Sequence, residues 1–457
     1  MNNDLSYNRG ITMTKATKEI HGDKILLRVL MALIAACLLF ILTMMAIALQ
    51  YNGKWKMQAY GLCFNVTAGY VRTYEVTDNY YTRCSLYDGV IINGTLYSGM
   101  GKFKLDKDKN QLYLIDRGSQ MIYRTDLQTS DYFSHLTKLN SSDSVAKFKM
   151  YYEIFKENYA FADFYGVDFD SEYQKYSKFI TADTSDDTLY QYMCKMVEGL
   201  DDGHVEVNFK GKEYSPSDCV PHWITDKAEQ NKLGNVIKSI YVKDYYKFNN
   251  CYIRYGTLRN DIGYINITGM GMEELDKSAT TRKAMDKVMK KFENKKTIVI
   301  DLRFCGGGYD ETALVISGYF TQKPYLAYMK QAYYKGNFTK LQNVYVNPNK
   351  LNFIGNVVVL TSGYTISAGE VLLRSLTANK DNHIKLVGEK TAGYYSDALT
   401  KTLPGGFDFR MSTERYLGPD NSIFEGHGTV PEVEIPVSVE AAEQGQDKAL
   451  DYVLVNY

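Results

Sequence analysis

The pattern of hydrophobic and polar residues changes along the chain, and each change predicts a different kind of structure. An unbroken apolar run covers Val29–Leu49. From residue 52 to about residue 140, apolar and polar positions alternate, as in "GLCFNVTAGYVRTYEV", which is typical of half-buried strands. Residues 145–200 carry apolar residues at helical spacing instead, with Ser or Asp at the predicted helix starts. The pattern thus predicts an apolar helix, a small β-rich module and a helical lead-in.

The second half of the chain alternates between short apolar strands and helices. The pattern predicts strands in "IGYINITGM", "KTIVIDLRF", "NVVVLTS" and "IKLVGE", and helices over 273–294, from about Glu311, in "SAGEVLLRSLTA" and over 441–457. Strands that alternate with helices favour an α/β core with parallel pairing. Because these strands lack polar alternation, we expect helices to cover both faces of the sheet.

The apolar run is long enough to cross a bilayer as one helix. More basic residues precede it than follow it closely, namely Lys15, Lys18, Lys24 and Arg28 against Lys54 and Lys56. By the positive-inside rule, residues 1–28 form a cytoplasmic tail, residues 29–49 a single-pass signal anchor in the cell membrane, and the rest is extracytoplasmic. A signal-peptidase site at Ala46–Ala48 stays open. A lipobox ending at Cys37 is disfavoured, because the apolar run continues past it.

Charge and cysteine content exclude several classes of function. The 53 basic and 53 acidic residues balance, and no basic tract resembles a nucleic-acid binding stripe. Seven cysteines are present, and outside the membrane Cys63–Cys84 and Cys219–Cys251 could pair. There is no CxxC or HExxH pattern, so we expect no metal and no cofactor.

Four stretches contain candidate chemistry, and the first is "TISAGE". Ser367 stands where a strand gives way to a helix, which most often makes a serine only an N-cap. The functional alternative is a nucleophile. The small neighbours leave room for a substrate carbonyl, the helix start favours developing negative charge, and the amide of Ala368 is a natural oxyanion donor.

The second stretch, "DLRFCGGGYD", places three glycines directly after a buried strand. Glycine lets the backbone approach a ligand closely and direct amides at an anion. A phosphate-binding or purely structural loop is the alternative, although neither GxGxxG nor a following Lys-Ser/Thr is present. The sharper proposal is an oxyanion hole shared by Gly307 or Gly308 and Ala368.

The remaining two stretches supply a base and an acid. His204 in "LDDGHVEV" is one of six histidines, and imidazole is the side chain best suited to accept a serine proton near neutral pH. Glu425 in "FEGHGTVPEVEI" could orient that imidazole if it is buried. His427 is a competing base and Glu370 a competing acid.

Taken in order, these motifs resemble the C-terminal-processing, or tail-specific, serine peptidases, and more closely the branch with the tricorn protease core. The resemblance spans roughly residues 145–434. It implies a ClpP/crotonase-like core with a helical subdomain, a catalytic domain over 145–440, and no cofactor. By the same resemblance Ser367 is the nucleophile, His204 the general base, Glu425 the acidic member, and the Gly306–Gly308 loop the oxyanion region.

Several positions depart from the family pattern. Tyr394 stands where the lysine-dyad branch has its Lys, and Lys390 is off register, so a Ser–Lys mechanism is disfavoured. No PDZ pattern is visible between residues 205 and 262. Cys305 stands where the family usually has Asn, and Gly203 where the tricorn pattern has Ser.

The sequence therefore predicts a membrane-anchored, extracytoplasmic serine endopeptidase that acts on peptides or proteins through an acyl-enzyme. The alternative from another class is a catalytically silent, membrane-anchored module that binds peptides or glycans in the same cleft. Oligomeric state stays open.

Overall fold

The apolar run lies in a long first helix, α1 (Leu5–Leu49). A computed structural model of the protein describes residues 5–271, 278–379 and 383–457, with the backbone alone for residues 5–26. The stretch Leu27–Leu49 is long and apolar enough to cross a membrane, by length and composition, and its most apolar part is not buried against the protein. A signal sequence near an N-terminus would meet the same criteria.

Residues 53–138 form an antiparallel ten-stranded sheet whose order is β10-β4-β3-β2-β1-β9-β8-β7-β6-β5, with a parallel pairing only between β10 and β4. An additional pairing joins β3 to β5, so eight of the strands close into a ring around an apolar core. We refer to residues 53–138 as the β module. Its strands are β1 (Gly53–Met57), β2 (Leu62–Thr67), β3 (Tyr70–Val76), β4 (Tyr80–Arg83), β5 (Gly89–Ile92), β6 (Thr95–Ser98), β7 (Gly101–Asp108), β8 (Gln111–Asp116), β9 (Met121–Gln128) and β10 (Thr137–Lys138).

Four helices follow the β module, and three of them begin at side-chain caps. The carboxylate of Asp143 accepts a hydrogen bond from the amide of Ala146, and the hydroxyl of Ser185 accepts one from the amide of Thr188. Such caps satisfy amides that have no partner within the helix. The helices are α2 (Ser144–Asn158), α3 (Ala162–Tyr165), α4 (Phe169–Ser177) and α5 (Asp186–Val197).

The next segment leads into a seven-stranded sheet. Its elements are β11 (Glu206–Phe209), β12 (Lys212–Tyr214), α6 (His222–Thr225), α7 (Lys227–Val236), a π-helical turn (Ile237–Tyr241), β13 (Lys243–Lys247), β14 (Ile253–Arg259), β15 (Ile262–Ile267), α8 (Ala279–Lys291), β16 (Thr297–Asp301), α9 (Asp310–Ser317), β17 (Tyr325–Tyr334), β18 (Asn337–Phe338), β19 (Gln342–Val346), β20 (Asn356–Thr361), α10 (Ala368–Ala378) and β21 (His383–Gly388). The predicted helix over 273–294 is observed from Ala279, while residues 272–277 lie outside the described residues.

The chain ends with β22 (Ala398–Leu403), β23 (Phe407–Ser412), β24 (Glu414–Leu417), β25 (Val433–Glu434), α11 (Val439–Glu443) and α12 (Lys448–Asn456). The seven-stranded sheet has the order β13-β14-β15-β16-β20-β21-β25, and β15 to β25 pair in parallel. Separate apolar cores cover its two faces, and β15 and β16 are buried at every position. The predicted mixed α/β class and the parallel pairing are confirmed.

This topology places two of the predicted motifs side by side. Strands β16 and β20 are neighbours in the parallel sheet. The glycine loop follows β16 and the Ser367 segment follows β20, so both leave the sheet at the same edge. His204 comes from elsewhere, since it precedes β11, which belongs to a four-stranded sheet of order β12-β11-β23-β22.

All seven cysteines are free thiols in this structure. The two pairings that the sequence left open, Cys63–Cys84 and Cys219–Cys251, are therefore not formed. Cys63 and Cys84 are both fully buried in the β module.

Candidate active site

Ser367 occupies the N-cap position of α10, but its side chain does not cap the helix. Its backbone has φ 58° and ψ −127°, a left-handed conformation that is uncommon for a residue with a Cβ atom. The amide of Ser367 donates to the carbonyl of Tyr394 at 2.8 Å, which helps to hold this turn. Such local strain marks positions that the surrounding structure must stabilise, and these cluster at functional sites.

Two hydroxyls fix the turn between β20 and Ser367. Ser362 Oγ donates to the carbonyl of Arg303 at 2.7 Å, and Thr365 Oγ1 donates to the carbonyl of Leu302 at 3.0 Å. Both acceptors belong to the start of the glycine loop. The loop and the Ser367 turn are thus bonded directly to each other.

The glycine loop approaches Ser367 so closely that no side chain would fit. A Cβ atom on Gly307, whose φ is +89°, would lie 2.6 Å from the Cβ atom of Ser367. A Cβ atom on Gly308 would lie 2.4 Å from the carbonyl carbon of Met270. Two of the three glycines are therefore required by close approach, which turn formation alone would not demand.

The backbone amides near Ser367 differ in whether they already donate a hydrogen bond within the protein. The amide of Gly307 bonds to the sulfur of Cys305, a thiol whose pKa burial raises to about 12. Among the described residues, no backbone acceptor bonds the amide of Gly308 or of Ala368. Of the predicted oxyanion donors, Gly308 and Ala368 are therefore the two that have a free amide.

A buried ion pair anchors the start of the glycine loop. The guanidinium of Arg303 donates to both carboxylate oxygens of Asp301, at 3.0 and 2.7 Å, and to Asp447 at 3.0 Å. Tyr264 donates its hydroxyl to Asp301 at 2.7 Å. This network bonds the end of β16 to the start of α12, and thereby fixes the backbone from which the loop departs.

His204 lies in the same cleft as Ser367 and is 6% exposed. The cleft has a volume of about 730 Å³, and the loop Gly306–Gly308 lines it as well. The backbone amide of His204 donates to Asp202 Oδ1 at 2.9 Å, whereas its ring nitrogen Nδ1 is buried without a hydrogen-bond partner. The ring of Tyr394 packs edge-on against the imidazole, with 6.3 Å between ring centroids.

Glu425 is fully buried behind His204 and has one oxygen left free. Its Oε2 accepts hydrogen bonds from the amides of Tyr395 and Ser396, both at 2.9 Å. Its Oε1 is buried without a partner. One polar atom from each of Asp202, His204 and Glu425 lies within 4.8 Å of the others, so the three buried side chains form one cluster.

Burial sets the ionisation of this cluster. It lowers the pKa of His204 below its ordinary value of 6.5, and the charge of Asp202 partly offsets that effect. It also raises the pKa of Glu425 well above 4.5, and the neighbouring charge of Asp202 adds to the rise. Two carboxyl groups this close do not ionise together readily. Burial and the neighbouring carboxylate thus both disfavour the charged form of Glu425, and burial disfavours the charged form of His204.

Asp202 belongs to this buried cluster, and the sequence analysis did not single it out. It is fully buried, and its second oxygen accepts the hydroxyl of Tyr159 at 2.8 Å. The only sequence signal is its position two residues before His204 in "DDGH", where Asp201 is equally acidic. Because Asp201 is exposed, only the fold distinguishes the two.

The alternatives for base and acid lie elsewhere. Lys390 and His427 are exposed, and the ring of His427 packs against Phe164 at 5.6 Å. Glu370 is buried, but it accepts hydrogen bonds from Thr391 and from the amides of Gly393 and Tyr394. Its role is thus to hold the segment whose Tyr394 carbonyl bonds Ser367.

A set of one imidazole and two carboxylates could also hold a divalent metal ion. Here both oxygens of Asp202 and one oxygen of Glu425 already accept hydrogen bonds from the protein. The free ligand atoms are Glu425 Oε1 and His204 Nδ1. Two free ligands fall short of the three or four that protein zinc sites use. The donor set thus fits a metal poorly.

Comparison with known proteins decides the family. Residues 261–435 match the family model described as peptidase family S41. The chain carries an S41 peptidase domain. S41 is a family of serine peptidases, so the predicted family and the predicted serine-type peptidase class are confirmed. The S41 match includes Ser367, the glycine loop and Glu425, whereas His204 lies before it in the chain.

Solved structures share the fold around the S41 domain. A candidate peptidase from Parabacteroides merdae ATCC 43184 is 21% identical, with a TM-score of 0.57, and the match covers 68% of this chain and 96% of that one. Mature CPAF is 12% identical, with a TM-score of 0.50 and coverage of 68% and 96%. At these identities the similarity shows a common fold. It does not separate the tricorn-type branch from others.

Proposed function

We propose that this protein is a membrane-anchored serine endopeptidase that hydrolyses peptide bonds through Ser367, His204 and Glu425. The observation that carries the proposal is the arrangement around Ser367. Ser367 begins a helix, but its hydroxyl does not cap that helix. The residue lies against the glycine loop and lines the same cleft as a buried histidine. A serine that served only as a cap would direct its hydroxyl at the helix amides instead.

In the proposed reaction, Ser367 Oγ attacks the substrate carbonyl while His204 accepts the hydroxyl proton. His204 then protonates the leaving amine, and water resolves the acyl-enzyme with His204 again as base. Neither the Ser367–His204 nor the His204–Glu425 hydrogen bond is formed in the substrate-free cleft. Such bonds often tighten only when substrate is bound.

The amides of Gly308 and Ala368 bind the tetrahedral oxyanion. Both are free, and the one from Ala368 is at the start of α10, where the helix dipole favours negative charge. Loss of one such donor typically raises the barrier by about 3–4 kcal/mol. Gly306 and Gly307 contribute to this hole through the loop shape that they allow.

The two carboxyl groups near His204 have different roles in this proposal. Glu425 Oε1 accepts the Nδ1 proton and holds the ring in the tautomer that presents its other nitrogen to Ser367. Asp202 supplies the negative charge that stabilises the imidazolium formed during acyl transfer. This division follows from the unbonded Oε1 of Glu425 and from the position of Asp202 at the His204 amide.

The architecture is part of the same proposal. Residues 29–49 act as a single-pass anchor in the cell membrane, the tail 1–28 is cytoplasmic, and the catalytic domain over 145–440 has a ClpP/crotonase-like core on the extracytoplasmic side. The exposed apolar stretch of α1 and the excess of basic residues before it support this orientation. Proteinase treatment of intact cells, which should degrade the catalytic domain, tests it; protection of that domain would reverse the orientation.

The catalytic proposal is tested by peptide hydrolysis. The full chain in detergent micelles is incubated with a degenerate decapeptide library, and the products are read by mass spectrometry. We expect cleavage by the parent and by Ser185→Ala, a matched helix-start control, but not by Ser367→Ala or His204→Ala. Addition of a chelator should leave cleavage unchanged. Cleavage that survives Ser367→Ala would refute the assignment.

A further inference from the structure

The β module forms one wall of the catalytic cleft. The cleft that contains Ser367 and His204 is also lined by Tyr87, Met100 and Asp116 of the β module. A peptide bound with its scissile bond at Ser367 would therefore lie against the β module as well. The module is thus part of the peptide-binding site, in addition to being a connection to the apolar helix.

Buried contacts fix this wall to the catalytic domain. Tyr60 donates its hydroxyl to Glu414 at 2.7 Å, and Lys330 Nζ donates to the carbonyl of Ser119 at 2.7 Å. Lys401 pairs with Glu75 at 2.8 Å, and both side chains are fully buried. Charges that are buried and paired across an interface hold it in one geometry. The position of the wall relative to Ser367 is therefore defined.

The part of the cleft beside the β module has more negative than positive charge. Lys330 Nζ lies 2.7 Å from Glu414, 2.9 Å from Asp397 and 3.5 Å from Asp310. These three carboxylates line the cleft, and Asp116 of the β module makes a fourth. The other charged pair there, Arg410 with Glu206 at 3.3 Å, neutralises itself.

Burial has the largest effect on the ionisation of two of these carboxyl groups, and neighbouring negative charge adds to it. Burial, opposed by Lys330, raises the pKa of Asp310 to about 6 and that of Glu414 to about 7. The nearby charge of Asp397 adds to both increases. By formal charge, one ammonium group faces four carboxyl groups in this part of the cleft, so a second cation there would be favoured by opposite charge.

Aromatic rings surround these carboxylates. The rings of Tyr60 and Tyr123 meet edge-on with 5.1 Å between centroids, and Phe103 packs against Tyr123 at 5.9 Å. All three line the cleft. Aromatic faces beside a carboxylate favour an alkyl chain that ends in a cation, because the rings contact the chain and attract the charge.

We propose that this part of the cleft is a subsite for a lysine or arginine side chain of the peptide substrate. Asp397, whose side chain is one-third exposed, is the carboxylate that contacts the cation, and Asp116 of the β module lines the same cleft. The carboxylates alone would not define a site, but the cleft that they line is also lined by Ser367. The inference rests on the proposed peptidase function. It also implies that an acidic side chain or a free peptide carboxylate is excluded at this position.

Binding to a silent variant tests the subsite without requiring hydrolysis. Full-length Ser367→Ala in detergent micelles is titrated with fluorescent decapeptide libraries in which one position at a time is fixed as Lys, Arg, Leu or Glu. Binding is measured by fluorescence anisotropy. The same titrations are made with Asp397→Asn and Asp116→Asn added to Ser367→Ala. Asp108→Asn, which removes an exposed carboxylate of the β module, is the matched control.

We expect one position at which Lys and Arg bind about tenfold or more tighter than Glu, as charge-assisted contacts give. Asp397→Asn should reduce that ratio to about threefold or less, with a smaller loss for Asp116→Asn and none for Asp108→Asn. Equal binding of the four libraries, absence of binding, or a preference that Asp397→Asn leaves intact would overturn the subsite. Labelling of the parent by a fluorophosphonate, measured in parallel, reports separately on the activated serine, so failure of the subsite and failure of the peptidase are distinguishable.

Discussion

Two buried ionic clusters lie near the cleft, and they differ in whether a side-chain nitrogen is left unbonded. Around His204, Nδ1 and the Oε1 atom of Glu425 are buried without partners. Around Lys401, the ammonium group bonds Glu75 and the carbonyl of Tyr60 across the interface with the β module. Leaving a buried polar atom unbonded costs about 1–3 kcal/mol. The unbonded atoms of the first cluster carry that cost, whereas the ammonium group of the second cluster is bonded and does not.

The difference suggests how to separate function from stability in this molecule. Polar atoms that the fold leaves free should matter for activity and little for folding. Polar atoms that the fold uses should matter for folding and little for the chemistry. Each prediction below changes one member of this comparison, from the largest expected effect to the smallest.

The largest effect should come from the cluster around His204. His204→Ala removes the proposed general base and should reduce kcat/KM for peptide hydrolysis by about four to six orders of magnitude, as loss of a triad member does elsewhere. The melting temperature should change little, because Nδ1 bonds nothing in the parent. Thermal unfolding and steady-state kinetics on the same sample check both parts.

Substitutions in the cluster around Lys401 should instead reduce stability and leave the catalytic chemistry little changed. Lys401→Met leaves Glu75 buried without its cation, and we expect a loss of about 3–5 kcal/mol in the free energy of unfolding. The double variant Lys401→Met/Glu75→Leu should recover much of that loss, because it removes both charges. Lys212→Met is the matched control. Its pair with Asp187 is exposed and should be worth less than about 1 kcal/mol. A large loss in the control would contradict the account.

The raised pKa of Glu370 predicts that the free energy of unfolding depends on pH. Burial raises its pKa from 4.5 to about 7, so the folded state binds a proton that the unfolded state releases between those values. Its contribution is fully present below about pH 4.5 and decreases as the pH rises to about 7, by roughly 3 kcal/mol in all. Chemical denaturation at several pH values should show a shallower decline in Glu370→Gln. An unchanged slope would mean that the pKa of Glu370 is not raised.

Asp202 predicts a shift in the pH–rate profile. Its charge raises the pKa of His204 against the larger effect of burial. In Asp202→Asn the acid limb of kcat/KM should therefore move to lower pH, and the maximum rate should fall because the imidazolium loses its counter-charge. Asp201→Asn, its exposed neighbour, is the control and should leave the limb in place. If the acid limb of kcat/KM stays at the same pH in Asp202→Asn, Asp202 has only a structural role.

The smallest expected effect on stability concerns two serines at the starts of helices. The hydroxyl of Ser185 caps α5, so Ser185→Ala should cost about 1 kcal/mol of stability without loss of activity. Ser367 does not cap α10, so Ser367→Ala should abolish activity without that cost. Comparable destabilisation by the two substitutions would mean that Ser367 is only a cap.

Much of the catalytic core could be predicted because its signals are local. The apolar strands before Ser367 and before the glycine loop have no polar alternation, and adjacent parallel strands bring their following loops together. The motifs around Ser367, Gly306–Gly308, His204 and Glu425 could each be read as short stretches. Whether they form the active site stays a prediction, although His204 shares the cleft with Ser367 and a buried cluster with Glu425.

Other features could not be predicted because they depend on burial and on contacts distant in sequence. Asp201 and Asp202 are identical in the sequence, and only the fold buries the second. Lys330 and Lys401 resemble surface lysines in the sequence, yet both are fully buried against carboxylates from other elements. The closed ring of the β module, and its place beside Ser367, depend on strand pairings that no local pattern encodes.

The central claim is that Ser367 is an activated nucleophile, and reaction with a fluorophosphonate tests it most directly. The full-length parent, His204→Ala and Ser185→Ala are treated in detergent micelles, and the adduct is located by peptide mapping. The account predicts one adduct, on Ser367, in the parent and in Ser185→Ala, and none in His204→Ala. A folded parent that does not react, or an adduct on Ser367 that persists in His204→Ala, would contradict it.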